Sequence, residues 1–321
     1  MSLSGGCTDL KRYPLESVPA DIDWMDLGAK EKGNVKMTAC KRSLWAIGFC
    51  LFLLCLACPA YSASHGKLYV VGMGPSGSGL TAPRALNTVK EADVLLCSPR
   101  LPKRFDRFGK YIDPSKVAFN PWEGILGKEA KKLKETDPEA WKTQAEKQVE
   151  KVQAFILEKL REGKTVALMD GGDPCVYGPS LQRLLKGFDE NLYEVIPGMG
   201  AFNAASAALK RSMTPENVRF VMLSSPRSLF GESWEKGDDI LKDLAKYETN
   251  MVFYMSLKSL DKVVNVFRKY YPPELPVAIV YYAGYKDKEK VLKSRLQNIV
   301  EDVKKMDENW LGLVVIGECA R

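Results

Sequence analysis

The most constraining feature of the sequence is a ten-residue turn at 170–179, which directly follows a short apolar run at 165–169. The turn reads DGGDPCVYGP, and its glycines and Asp-Pro pair disfavour both helix and strand. A segment with apolar residues at helical spacing, 140–162, precedes the apolar run and stops at Gly163. A helix that delivers the chain to a buried strand is typical of a mostly parallel sheet, so the sequence predicts an α/β fold.

Two further glycine-rich turns stand elsewhere in the chain. Residues 72–77 read GMGPSG after a run that begins at Lys67, and residues 195–201 read VIPGMGA before a stretch of small residues at 203–209. Glycine permits positive φ and a close approach of the backbone to a ligand. The turn at 170–179, which ends a strand, would lie at the carboxyl edge of the sheet, where ligands of open α/β folds bind.

The first turn taken alone also fits a dinucleotide-binding fold, with Asp93 at a suitable distance downstream to hold a ribose. In that fold the ribose-binding acid ends the second strand, whereas Asp93 precedes the apolar run at 94–97. Pro75 also suits a rigid loop better than a helix start that binds pyrophosphate. A nicotinamide-dependent oxidoreductase is therefore a rival hypothesis, and it predicts NAD binding.

Histidine and cysteine are scarce outside the N-terminal region. His65 is the only histidine, and Cys97, Cys175 and Cys319, the only cysteines beyond residue 58, form no CxxC pair. We therefore expect no metal site and no histidine acid–base catalysis. The net charge is +7, but basic and acidic residues alternate as on a solvated face. We expect no nucleic-acid partner, whereas an anionic small molecule would suit a basic cleft.

Residues 1–64 are predicted to be a leader rather than part of the fold. The apolar run 44–60 follows basic residues and precedes small ones, as in a secretory signal peptide, with Met37 as an alternative start to Met1. The same run also fits an uncleaved membrane anchor or lipid attachment at Cys58. We expect an exported protein that contacts membrane only through this leader, or a cytoplasmic protein if the leader is not used.

The three turns, taken in order, resemble the motifs of the tetrapyrrole (corrin/porphyrin) methylase family, which includes uroporphyrinogen III and precorrin C-methyltransferases. That family has a GxGPG-like loop, a GDPxxYG-like turn and a V-x-P-G-x-S/T-A element. Segments 252–255, 276–284 and 311–318 resemble its C-terminal strands, so the resemblance covers residues 67–318. The VYYAGY stretch is closer to the precorrin-4 branch, whereas Ser76-Gly77-Ser78 stands where many members carry Gly-Asp.

The resemblance implies a two-domain fold in which each domain is a mixed or mostly parallel sheet flanked by helices, with the ligand in the cleft between them. The domains would span residues 65–213 and 214–321. It also implies a methyltransferase that uses S-adenosylmethionine (SAM) to C-methylate an anionic tetrapyrrole of precorrin or uroporphyrinogen type. Family members are usually homodimers, so a homodimer is expected.

Carried over by position, the predicted SAM contacts lie in the three turns and the C-terminal strands: Pro75, Gly171, Gly172, Asp173, Val176, Tyr177, Gly200, Ala201, Met255, Ala283 and Gly284. Arg84, Arg100 and Lys103, near the first turn, are candidates for pairing with substrate carboxylates. No catalytic acid or base is assigned, because methyl transfer chiefly needs orientation and exclusion of water.

Two alternatives for the function stay open within this fold. One is a methylase of another substrate, such as RNA or peptide. The other is an exported protein that binds a tetrapyrrole without methylating it, which would show no SAM binding.

Overall fold

In the described part of the chain, two five-stranded sheets flanked by helices make up the fold. The computed structural model describes residues 66–98, 108–230, 237–308 and 311–321. The predicted leader and the candidate substrate contacts Arg100 and Lys103 lie outside the described residues. The described residues of Ser62–Arg321 belong to one compact unit.

The first sheet is parallel throughout, as the sequence predicts. Its elements in chain order are β1 (Leu68–Gly72), α1 (Pro83–Glu91), β2 (Val94–Leu96), β3 (Val117–Phe119), α2 (Lys128–Thr136), α3 (Pro138–Arg161), β4 (Val166–Asp170), β5 (Tyr193–Ile196) and α4 (Ala201–Leu209). The strand order is β3-β2-β4-β1-β5, and every neighbouring pair is parallel. Because β4, β1 and β5 are adjacent, the turns that follow them share one edge.

The second sheet is mixed. Its elements are β6 (Phe220–Ser224), α5 (Arg227–Phe230), α6 (Gly237–Leu244), β7 (Thr249–Phe253), α7 (Leu260–Phe267), β8 (Pro276–Tyr281), β9 (Lys290–Arg295), α8 (Ile299–Lys304) and β10 (Gly312–Ile316). The order is β6-β7-β10-β8-β9, in which only the pair β6 and β7 is parallel. The first half denotes the first sheet with its helices and turns, and the second half denotes the second sheet with its helices and turns.

Both faces of the first sheet are buried, which explains why its strands read as continuous apolar runs. Along β1, Leu68 and Val70 pack in one apolar cluster, whereas Val71 packs in another on the opposite face. The helix α3 contributes Val152 and Ile156 to the cluster around Leu68. The two clusters fix β1 at the centre of the sheet, and thereby the place where its turn emerges.

The helix α3 begins two residues before the segment that helical periodicity predicts, because Asp137 caps it. The Asp137 carboxylate accepts a hydrogen bond from the Ala140 N–H at 3.0 Å, and Pro138 occupies the first turn, where a missing N–H costs nothing. The cap supplies an acceptor to a first-turn N–H that has no partner within the helix.

The helix α4 joins the two halves. It follows β5 of the first sheet, yet its Ala204, Ala205 and Leu209 pack in one apolar cluster with Ala278 and Val280 of β8. The predicted domain boundary at 213–214 falls in the connection between α4 and β6. Among the described helices, none has both the length and the apolar character needed to cross a lipid bilayer.

Candidate functional site

The three glycine-rich turns contact one another through their backbones. Gly74 and Gly172 exchange two hydrogen bonds, from Gly172 N to Gly74 O at 2.8 Å and from Gly74 N to Gly172 O at 3.2 Å. A Cβ at Gly198 would overlap the Gly172 carbonyl oxygen, and one at Gly72 would lie 2.6 Å from the Gly198 Cα. Only glycine permits these approaches, so the three motifs form a single platform at the edge of the sheet.

Side-chain hydrogen bonds within each of the first two turns stabilise them. Thr81 Oγ1 donates to Met73 O at 2.7 Å and is 3.0 Å from Gly77 O, which closes the first turn on itself. In the second turn, Asp173 Oδ1 accepts a hydrogen bond from Cys175 N at 2.9 Å. The turns are therefore preorganised by local hydrogen bonds.

The second turn is also held at both of its ends by Asp170, which is buried at the end of β4. Its carboxylate accepts hydrogen bonds from Ser180 Oγ at 2.6 Å and Ser180 N at 3.3 Å. Burial raises the pKa of Asp170 to about 6, although the hydrogen bonds from Ser180 act in the opposite direction. The pair spans the whole turn, so it fixes where the turn begins and ends.

A cavity of about 350 Å³ opens beside these turns. Residues of both halves line it, and most of them are apolar or aromatic: Pro75, Ala201, Tyr254, Met255, Leu257, Lys258, Val280, Tyr282, Ala283, Tyr285, Leu311, Gly312 and Leu313. Four predicted SAM contacts, Pro75, Ala201, Met255 and Ala283, are among them. Sequence reasoning missed the rest, of which several adjoin Met255 or Ala283.

Three lining residues have left-handed backbones although they are not glycine. The φ angles are 55° at Met255, 50° at Tyr282 and 53° at Leu311. Such conformations cost energy in non-glycine residues and cluster at ligand sites. At Met255 the result is a side chain that stands 70% exposed at the cavity.

The segment around Gly284 brings the second half against the first turn. Gly284 has φ 83°, and a Cβ there would lie 3.1 Å from Ser76 Oγ and overlap the end of the Leu80 side chain. The Gly284 N–H donates to the Glu289 carboxylate at 2.6 Å, which holds the segment in this position. Gly284, a predicted SAM contact, therefore borders the cavity without lining it.

The other predicted SAM contacts lie in the turns but do not line the cavity. Gly171, Gly172, Asp173, Val176 and Gly200 belong to this group. Tyr177 contacts the lining residue Tyr254, since their ring centroids are 4.9 Å apart.

Arg84, the predicted substrate contact that the structure describes, lies elsewhere. It forms a surface ion pair with Glu194, which also pairs with Lys67 at 2.6 Å. It therefore does not share the cavity with the predicted SAM contacts, and its role toward a substrate stays a prediction.

The cavity suits orientation of a ligand better than acid–base chemistry. Among its described lining residues, Lys258 carries the single charged side chain. In the described ranges, no group of three or more His, Cys, Asp or Glu side chains could hold a metal ion. An apolar, aromatic lining of this kind excludes water and holds a ligand by shape.

Comparison with known proteins decides the family. A family model described as Tetrapyrrole (Corrin/Porphyrin) Methylases matches residues 67–300. The chain belongs to this family. The resemblance read from the three turns is thereby confirmed, and so is the predicted α/β fold with its parallel and mixed sheets.

Individual tetrapyrrole methylases are similar over most of the chain. The cobalt-precorrin-4 C(11)-methyltransferase of Methanocaldococcus jannaschii is 29% identical, over 79% of this chain and 88% of its own. The structure of a cobalt precorrin-4 methyltransferase superposes with a TM-score of 0.64 at 22% identity, over 82% of this chain and 99% of that one. The uroporphyrin-III C-methyltransferase of Thermus thermophilus, complexed with S-adenyl homocysteine, has a TM-score of 0.54 at 21% identity, over 80% and 99%.

Proposed function

We propose that this chain transfers the methyl group of SAM to a ring carbon of an anionic tetrapyrrole of the precorrin-4 type. The observation that carries the proposal is the cavity that both halves line at the edge formed by the three glycine turns. Membership of the tetrapyrrole methylase family and the similarity to a cobalt-precorrin-4 C(11)-methyltransferase support the choice of acceptor.

The cavity fits SAM in size and chemistry. Its volume of about 350 Å³ is in the range of pockets that enclose small organic ligands, about 300–1,000 Å³. Tyr254, Tyr282 and Tyr285 line it, and tyrosine rings attract a cation held against their faces. The exposed Met255 side chain offers a polarisable contact to an adenine ring or a sulfur.

The residues of the chain would act by orientation and by exclusion of water. When bound, SAM supplies an electrophilic methyl group on a positively charged sulfur. The nucleophilic carbon must then meet that methyl group in line at about 3 Å. The glycine platform sets the turns of the first half, and Gly284 packs against Ser76 and Leu80 to place the second half beside them. The apolar lining keeps water from the sulfur. As the ring carbon forms its bond to the methyl group, the S–CH3 bond breaks, S-adenosylhomocysteine leaves with that electron pair, and the methylated ring releases a proton to solvent.

Methyl transfer with purified full-length protein tests the proposal. SAM with an isotopically labelled methyl group is incubated with cobalt-precorrin-4, and in parallel with uroporphyrinogen III. We expect label in the cobalt-precorrin-4 product and less or none in the other. Label in uroporphyrinogen III alone would correct the acceptor, and label in neither, with an intact fold, would contradict methylation of either acceptor.

A second candidate is an exported tetrapyrrole-binding protein that does not methylate. The apolar run 44–60 favours it, because SAM is made in the cytoplasm. The neutral Ser76-Gly77-Ser78 favours it too, because the resemblance to the family implies an acidic residue there. This candidate predicts a shifted haem or corrinoid absorption spectrum together with no binding of SAM or S-adenosylhomocysteine. Fusion of residues 1–64 to a reporter active only outside the cytoplasm tests the export it requires.

A further inference from the structure

Tyr177 and Tyr254 form a contact that crosses from the first half to the second. Tyr177 lies in the turn after β4, and Tyr254 directly follows β7. Their ring centroids are 4.9 Å apart with an interplanar angle of 41°. Tyr254 lines the cavity, whereas Tyr177 does not, so Tyr177 supports a residue that faces the ligand.

The hydroxyl end of Tyr177 also reaches the second half. Burial raises the pKa of Tyr177, while hydrogen bonding to the Ser225 and Ser224 side chains acts in the opposite direction. Both serines are buried. Ser228 holds them, since its Oγ bonds the Ser224 hydroxyl and donates to Ser225 O at 2.7 Å. Tyr177 thus meets fixed groups on the second half.

The two tyrosines are tied to the same strand end. Tyr254 N donates to Ser224 O at 2.8 Å, so a shift of one residue moves the other. The backbone of Tyr177 is left-handed, with φ 59°, and such a conformation persists in a bulky residue only where its surroundings enforce it. The ring contact with Tyr254 is one interaction that can hold it.

We propose that Tyr177 is a positioning residue: its ring holds the Tyr254 ring against the cavity and so places the second turn beside the second half. This inference rests on the proposed function, because it assigns the positioned ring to the SAM site. The glycine contacts alone set the turns relative to one another, whereas Tyr177 sets the second turn relative to the second half. A ligand that touches both halves therefore depends on Tyr177 without touching it.

Calorimetric titration of the full-length protein with S-adenosylhomocysteine tests the role. Tyr177→Leu should weaken binding about tenfold, because an aromatic pair and a hydroxyl contact are both lost. Tyr177→Phe keeps the ring and should weaken binding about threefold or less. Tyr281→Phe is the matched control, since it removes a buried hydroxyl from a residue that does not line the cavity, and should leave the affinity unchanged.

A double-mutant cycle separates positioning from mere stabilisation of the fold. If Tyr177 acts through Tyr254, Tyr177→Leu should have little further effect on the affinity in a Tyr254→Ala background. Wild-type affinity in Tyr177→Leu, with or without a lower Tm, would overturn the inference and leave the proposed function standing. Additive losses in the cycle would overturn it as well. If the wild-type protein itself does not bind the ligand, the proposed function fails and this inference fails with it.

Discussion

Gly74 and Gly172 exchange two backbone hydrogen bonds, of 2.8 and 3.2 Å, although they belong to turns after different strands. Gly198 packs against the Gly172 carbonyl, so backbone contacts join the three turns. The positions of the three turns relative to one another are therefore set by backbone contacts. Substitutions that add a single methyl group test this directly.

Gly198→Ala should be severely destabilising. Its Cβ would overlap the Gly172 carbonyl oxygen and lie 2.8 Å from the Gly72 carbonyl carbon, and neither backbone atom can move without opening the platform. We expect the free energy of unfolding to fall by about 3 kcal/mol or more, with loss of S-adenosylhomocysteine binding. Gly79→Ala is the control, because a Cβ there meets nothing within 4 Å. Equal free energies of unfolding for the two variants in urea would contradict the close backbone packing at Gly198.

Asp170 predicts a pH-dependent stability. Its pKa in the folded protein is about 6, above the value of about 4 for an unfolded chain, so the folded state binds the proton more tightly. Stability should therefore fall as pH rises from about 4 to about 6, by about 2–3 kcal/mol, and stay lower above that window. Asp170→Asn keeps an acceptor for Ser180 and removes the titration. Urea unfolding at several pH values measures the difference in free energy of unfolding between Asp170→Asn and the wild type. This difference should grow between about pH 4 and about pH 6, and a constant difference would contradict the assignment.

Met255→Gly should separate stability from ligand affinity. The left-handed backbone, with φ 55°, costs less in glycine, and the 70% exposed side chain contributes little burial. We expect the free energy of unfolding to rise by about 0.5–1 kcal/mol. The affinity for S-adenosylhomocysteine should drop about tenfold, since a side chain at the cavity is lost. Thermal unfolding measures the stability, and calorimetric titration measures the affinity. Unchanged affinity would place Met255 outside the site.

Tyr281→Phe should not destabilise the protein. The Tyr281 hydroxyl is buried and has no hydrogen-bond partner in the part of the chain that the structure describes. Removing an unpaired buried hydroxyl relieves a desolvation cost, so we expect the free energy of unfolding to stay equal or rise by up to about 1 kcal/mol. A loss of more than 1 kcal/mol would show that the hydroxyl has a partner.

The sequence predicted the glycine-rich turns of the site well, because such turns can be recognised from their glycines. The turns at 72–77 and 170–179 follow β1 and β4, which apolar runs predict, whereas no apolar run predicts β5, the strand that ends within 195–201. The rule that ligands of open sheets bind at the carboxyl ends of strands predicts the edge, but it predicts neither the adjacency of β4, β1 and β5 nor the contact of Gly198 with Gly172.

The cavity residues of the second half were harder to predict from the sequence. Leu311 and Tyr282 have left-handed backbones that their residue types disfavour, so no local pattern predicts them. The edge strand β9 carries little apolar signal, because its basic residues are exposed and only Leu292 and Ser294 are half-buried. Arg84 shows a third limit, since its charge pairs with Glu194 on a strand that is distant along the chain.

The most direct test of the account is a crystal structure of the protein with S-adenosylhomocysteine. We predict that the adenosine part lies in the cavity between Met255 and Ala283, and that the ligand also touches Pro75 and Ala201 of the first half. Density for the ligand at any other place, or a crystal at saturating ligand with no such density in the cavity, would contradict it.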